Sequence, residues 1–179
     1  MRGLGLLLVD LQDVFLGTLP DRERLEKRLC FITEASRLLD LPIYLSEQVP
    51  EKLGNTIPAL IKLAEGSFVF SKDSFSAWES AEFQDRLKED DIQHLLVAGI
   101  ETPICIYQTL IQARKDDMSV TLLSDAISGR REEDAPFVVR TLIDHGVLVL
   151  PSESVFYSIL KNTNHAKFRE FTKLVKKYS

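Results

Sequence analysis

Six short apolar runs, unbroken rather than alternating, punctuate the chain at 5–9, 43–45, 67–70, 94–98, 120–123 and 147–150. Continuous hydrophobicity over so few residues is what a strand needs when helices cover both faces of its sheet. Between the runs lie segments with helical spacing, 21–39, 81–89, 103–115 and 132–145. The alternation predicts an α/β fold: a three-layer, doubly wound, mostly parallel sheet of about six strands with helices on both faces and right-handed crossovers.

In the first helix Leu25, Leu29, Ile32 and Leu39 share one face, and Asp21 is placed to accept hydrogen bonds from the first-turn amides. Two amphipathic stretches, 152–160 and 165–176, follow the last run and are expected to cover the sheet or to contact a partner chain. At 179 residues and 45% hydrophobic composition the chain has material for one core, so 1–179 reads as a single domain. Its formal charge of -5, without a long basic run, argues against nucleic acid as a partner. The first apolar run stops at Asp10, far short of the roughly 20 residues that span a bilayer. Asp10, Gln12 and Asp13 stand where a signal peptide would carry small residues. No membrane partner is expected. Cys30 and Cys105 form no zinc or redox spacing, so both are expected as free thiols in a reducing, cytoplasmic setting.

In a doubly wound sheet, ligands bind beyond the carboxyl ends of the strands. Asp10 follows the first run, Lys72 the third, and the fourth leads into Gly99-Ile100-Glu101-Thr102-Pro103-Ile104-Cys105. A carboxylate ending a buried strand is costly unless paired, and Lys72 or a thiol hydrogen would satisfy it. Pro103 suits the first turn of a helix, which would set Cys105 where unpaired amides and a nearby ammonium lower a thiol pKa. Each residue also has a plainer reading: Asp10 as a loop cap, Lys72 as a solvated strand end, Cys105 as a small hydrophobe. Cys30, in the apolar part of the first helix, takes that plainer reading, and so does Asp125 as a capping residue. The glycine-rich turn of a dinucleotide fold is missing, because Asp10-Leu11-Gln12-Asp13 stands after the first run.

Four blocks taken together carry a resemblance: Leu7-Leu8-Val9-Asp10-Leu11-Gln12-Asp13-Val14-Phe15, Lys72-Asp73-Ser74-Phe75-Ser76-Ala77-Trp78, Val97-Ala98-Gly99-Ile100-Glu101-Thr102-Pro103-Ile104-Cys105 and Ser124-Asp125-Ala126-Ile127-Ser128. In this order the chain resembles the isochorismatase-like hydrolases over nearly its whole length. The resemblance implies a catalytic triad of Asp10, Lys72 and Cys105, a cis peptide before Glu101, and an oxyanion hole made by the backbone amides of Glu101 and Cys105. It further implies that Asp10 takes the thiol proton, Cys105 attacks a carbonyl to give a covalent acyl-enzyme, and water releases the product. The isochorismatases proper lack this cysteine, so the resemblance points to a small-molecule carbon-nitrogen bond, amide or ureide-like.

Nicotinamidases of the family bind a metal through histidines after the second strand, whereas Ser46-Glu47-Gln48-Val49-Pro50-Glu51-Lys52-Leu53-Gly54 has none. No metal and no cofactor are therefore expected. That stretch, with Ser152-Glu153-Ser154-Val155-Phe156 and His165-Ala166-Lys167-Phe168, resembles the isochorismatase-domain-containing subgroup. Phe15, Phe75, Trp78 and Tyr107 are placed to wall a substrate pocket. A homo-oligomer is expected, because the family commonly assembles and the C-terminal stretches carry Val155, Phe156, Ile159, Leu160, Phe168 and Phe171. Two other functions fit the same residues: a binding or assembly protein that has kept the fold without turnover, and a thiol redox protein.

Overall fold

The computed structural model describes residues 3–179. In chain order its elements are β1 (Leu4–Val9), α1 (Asp13–Leu16), α2 (Arg22–Leu38), β2 (Ile43–Gln48), α3 (Pro50–Leu53), α4 (Pro58–Leu63), β3 (Phe68–Lys72), α5 (Ala81–Glu89), β4 (His94–Gly99), α6 (Tyr107–Lys115), β5 (Ser119–Ile127), α7 (Ala135–Asp144), β6 (Leu148–Leu150), α8 (Ser152–Leu160) and α9 (Phe168–Tyr178). The six strands form one sheet in the order β3-β2-β1-β4-β5-β6, and every pairing is parallel. All six predicted runs became strands.

β1 shows why its run had to be unbroken. Successive side chains point to opposite faces: Leu6 and Leu8 enter the core under α2, α8 and α9, while Leu7 and Val9 enter the one under α5 and α6. Both faces are covered, so all six residues of β1 are buried. On α2, Leu25, Leu29 and Ile32 are buried, while Leu39 falls just past its end. α8 and α9 close the first core, with Phe31 of α2 packed against Phe156 and Phe171 at ring separations of 5.9 Å. Val155, Phe156, Leu160 and Phe171 are thus spent on the chain's own sheet.

Two local expectations change. β2 runs on past the predicted 43–45 through Ser46, Glu47 and Gln48, because each buried polar group finds a partner. Ser46 donates to Asp10 at 2.7 Å, Glu47 accepts the Thr56 amide at 2.7 Å, and the Gln48 amide donates to Gln12 at 2.7 Å. Asp21 does not cap α2; its carboxylate turns instead to Ser128 and Arg24. Asp125 takes the structural place expected of it, accepting the first amide of α8 at 2.7 Å and the Arg28 guanidinium at 2.7 Å.

The order of the sheet reverses direction between β1 and β4, since β2 and β3 lie to one side and β5 and β6 to the other. Chains leaving β1 and β4 diverge there and open a crevice at the carboxyl edge. Asp10 and the turn carrying Cys105 flank that crevice.

Candidate active site

Asp10 leaves β1 with φ of 55°, a left-handed conformation that aspartate tolerates, and this turns its side chain back across the strand ends. Its carboxylate accepts from Ser46 Oγ at 2.7 Å and from Lys72 Nζ at 2.8 Å. Lys72 comes from two strands away: it ends β3, in register with Gln48 at the end of β2. An ammonium has three protons to donate, and Lys72 Nζ faces Asp10, the Gln48 side chain, and the carbonyls of Ser74 and Phe75 at 3.1 and 3.2 Å. Its donors are saturated, so it holds charge and geometry and has nothing left for a ligand.

Cys105 lies in a wide π turn, Thr102–Ile106, that precedes α6, so the regular helix begins two residues after the cysteine rather than before it. The peptide bond between Ile100 and Glu101 is cis. Gly99 before it has φ of 123°, and a Cβ there would run into the backbone of Val9. The thiol stands beside the Asp10 carboxylate and faces the Glu101 amide. Asp10, Lys72 and Cys105 are therefore together, as are the backbone segments of Glu101 and Cys105.

The electrostatics differ from the sequence expectation. Burial, followed by the negative charge of Asp10, pushes the Cys105 thiol up to about 12, and the Lys72 charge and the Glu101 amide offset this only in part. A turn terminus and a nearby ammonium were expected to lower it. They lose because the sulfur is withdrawn from water and Lys72 spends its charge on Asp10. Burial also raises Asp10 above the usual carboxylate range against the pull of Lys72 and its hydrogen bonds, so carboxylate and thiol both hold protons more tightly than they would in water.

A cavity of about 360 Å³ opens above the cysteine, its walls including Phe15, Phe75, Gln48, Ile104 and Arg130. Of the four aromatics assigned to it, Phe15 and Phe75 line it. Trp78 and Tyr107 do not. Trp78 is 7% exposed, packed edge-on against Phe83 with its indole N–H donated to Asp116 at 2.7 Å. Tyr107 packs into the core under α5 and α6. Sequence reading missed Gln48, whose position at a strand end was the available signal, and Arg130, two residues past the last of the four blocks. Arg130 Nε meets Glu101 Oε1 at 2.7 Å at the rim. Among the described residues no group of three or more His, Cys, Asp or Glu side chains is placed to hold a metal ion, and no helix is long and apolar enough to cross a membrane.

Residues 5–154 match the family profile described as the isochorismatase domain. The chain belongs to the isochorismatase family. Within that family it is 33% identical over 175 residues to isochorismatase domain-containing protein 2 of Danio rerio, covering 97% of this chain and 87% of the relative. A structure from Caenorhabditis elegans described as MAR1 ribonuclease superposes with a TM-score of 0.91 at 27% identity, covering 98% of this chain and 92% of that one. The Escherichia coli YcaC gene product, described as an octameric hydrolase of unknown specificity, shares the fold with a TM-score of 0.85 at 17% identity, covering 98% and 93%. Isochorismatase membership agrees with the four sequence blocks, the domain-containing subgroup agrees with the stretches 46–54, 152–156 and 165–168, and the family supports a hydrolase.

Proposed function

We propose that this isochorismatase-family protein is a cysteine hydrolase acting on a small-molecule carbon-nitrogen bond, amide or ureide-like, through Cys105, Asp10 and Lys72. The observation that carries this reading is a thiol beside a buried carboxylate, both lining a largely apolar cavity. The thiol proton passes to Asp10 as the sulfur attacks the carbonyl carbon, so the thiolate exists only when it is used. The carbonyl electron pair moves to oxygen, which the amides of Glu101 and Cys105 hold. Asp10 returns the proton to the departing nitrogen, leaving a thioester, and water activated by Asp10 releases the acid. Lys72 keeps Asp10 placed and favours its ionised form.

The cavity size and apolar walls favour a small organic substrate over a polymer. The net charge of -5 speaks against RNA as the substrate despite the description of the nematode structure. Two free thiols fit a reducing compartment such as the cytoplasm. The octameric description of the bacterial relative favours a homo-oligomer, through a surface other than the C-terminal faces already buried in the core.

The test is intact-protein mass spectrometry after exposure to a panel of amides, ureides and esters, with peroxide and RNA as separate arms. An acyl adduct on Cys105, absent in Cys105→Ala, supports the hydrolase. Adducts from peroxide alone would favour the redox reading, RNA cleavage lost in Cys105→Ala would favour a nuclease, and no reaction in any arm would favour a binding protein.

A further inference from the structure

The turn that carries Cys105 is clamped from one side by the chain leaving β5. The Ser128 carbonyl accepts both the Thr102 amide at 2.9 Å and the Thr102 hydroxyl at 3.0 Å. Gly129 lies against Pro103, so close that a Cβ would stand 3.2 Å from the ring. Thr102 and Ser128 are both buried. The Ser128 hydroxyl donates to Asp21, 107 positions away in sequence at the start of α2. Asp21 also binds the Arg24 guanidinium, which donates to the Asp125 carbonyl of β5 at 2.9 Å. Asp21 leaves the helix amides uncapped to do this. Burial raises its carboxyl, but the Ser128 hydroxyl and Arg24 outweigh burial and hold it below the usual range, so the acceptor stays ionised at neutral pH.

We propose that Asp21 and Ser128 are positioning residues for the Cys105 reaction: acting through Thr102, they fix the Glu101 and Cys105 amides at the spacing a developing oxyanion requires. The inference rests on the cysteine hydrolase reading. Oxyanion donors work only when they meet the oxygen at about 2.7 to 3.1 Å, and small displacements are costly. Of the three residues between the two donors, Ile104 lines the pocket while Thr102 and Pro103 do not; Pro103 lies against Gly129, and the Thr102 amide and hydroxyl both end on one carbonyl. The other end of that tether is Asp21.

Two reagents at the same sulfur separate positioning from general damage. With 4-nitrophenyl acetate the S–C bond forms as the carbonyl pair moves to oxygen, and collapse expels 4-nitrophenolate. With iodoacetamide the S–C bond forms as iodide leaves, and no oxyanion arises. The thiol proton goes to Asp10 or solvent in both. Asp21→Ala and Ser128→Ala should slow Cys105 acylation about tenfold while alkylation stays within about twofold of the wild type. Asp21→Asn, which keeps an oxygen for Ser128 and loses the charge facing Arg24, should recover acylation to within about threefold. Equal loss in both reactions, or loss in neither, overturns the proposal and leaves the hydrolase standing. A wild-type protein that is alkylated at Cys105 yet never acylated overturns the hydrolase reading itself.

Discussion

Lys72 Nζ sits 2.8 Å from Asp10 Oδ2 with side-chain exposures of 1% and 2%. Such a pair gains little over a well-packed apolar one, but breaking it leaves a charge with neither water nor partner. Lys72→Ala should therefore lower stability by about 3 to 5 kcal/mol in urea denaturation and abolish turnover. The double variant Asp10→Asn with Lys72→Met should recover part of that stability without recovering activity. A single variant as stable as the wild type would show that the pair is not the buried ion pair described.

Asp10 has opposite effects on the two things Cys105 can do. Its charge raises the thiol and its oxygen accepts the thiol proton. Asp10→Asn should therefore speed iodoacetamide alkylation of Cys105 at pH 8, because Lys72 is then unopposed, while turnover disappears. Alkylation rates by peptide mass spectrometry check this; slower alkylation would mean that Asp10 acts on the sulfur mainly as a base.

In the wild-type protein burial and the Asp10 carboxylate push the Cys105 thiol up to about 12. Neutral-pH alkylation should accordingly be slow and should keep rising with pH past 10, where a conventionally activated cysteine would already have reached a plateau.

The same shift ties stability to alkaline pH. A thiol raised by folding holds its proton more tightly in the native state, so its contribution is complete below pH 9 and fades as pH climbs toward 12. Cys30, raised chiefly by burial, works in the same direction. The urea midpoint of the wild type should fall more between pH 8 and 10.5 than that of Cys105→Ala; parallel curves would contradict the buried thiol.

Phe75 and Trp78 stand three residues apart and should respond differently. Phe75 is 58% exposed at the cavity, so Phe75→Ala should alter KM for any substrate found and change stability by less than about 0.5 kcal/mol. Trp78→Ala should cost about 3 to 5 kcal/mol in urea denaturation, because it empties a packed site beside Phe83 and removes the partner of Asp116.

The layered sheet was legible in the linear chain because its cause is local: a strand covered on both faces is apolar at nearly every position, and the six runs are so but for Ser67, His94 and Thr121. The placement of Asp10, Lys72 and Cys105 was legible for a related reason, since each sits at or just beyond the carboxyl end of a run and a parallel sheet brings those ends to one edge. What only the tertiary structure decided depends on distances between segments far apart in sequence. Nothing in the spacing of Phe75 and Trp78 says which ring faces the cavity; Phe83, Asp116 and the packing of α5 and α6 draw Trp78 inward. The helical position of Cys105 suggested a lowered thiol pKa, yet burial and the Asp10 carboxylate raise it, and neither can be weighed before the chain is folded. Asp21 likewise reads as a cap for its own helix. It serves Ser128 instead because the fold sets a buried hydroxyl within its reach, and a carboxylate takes the partner that has no water to turn to.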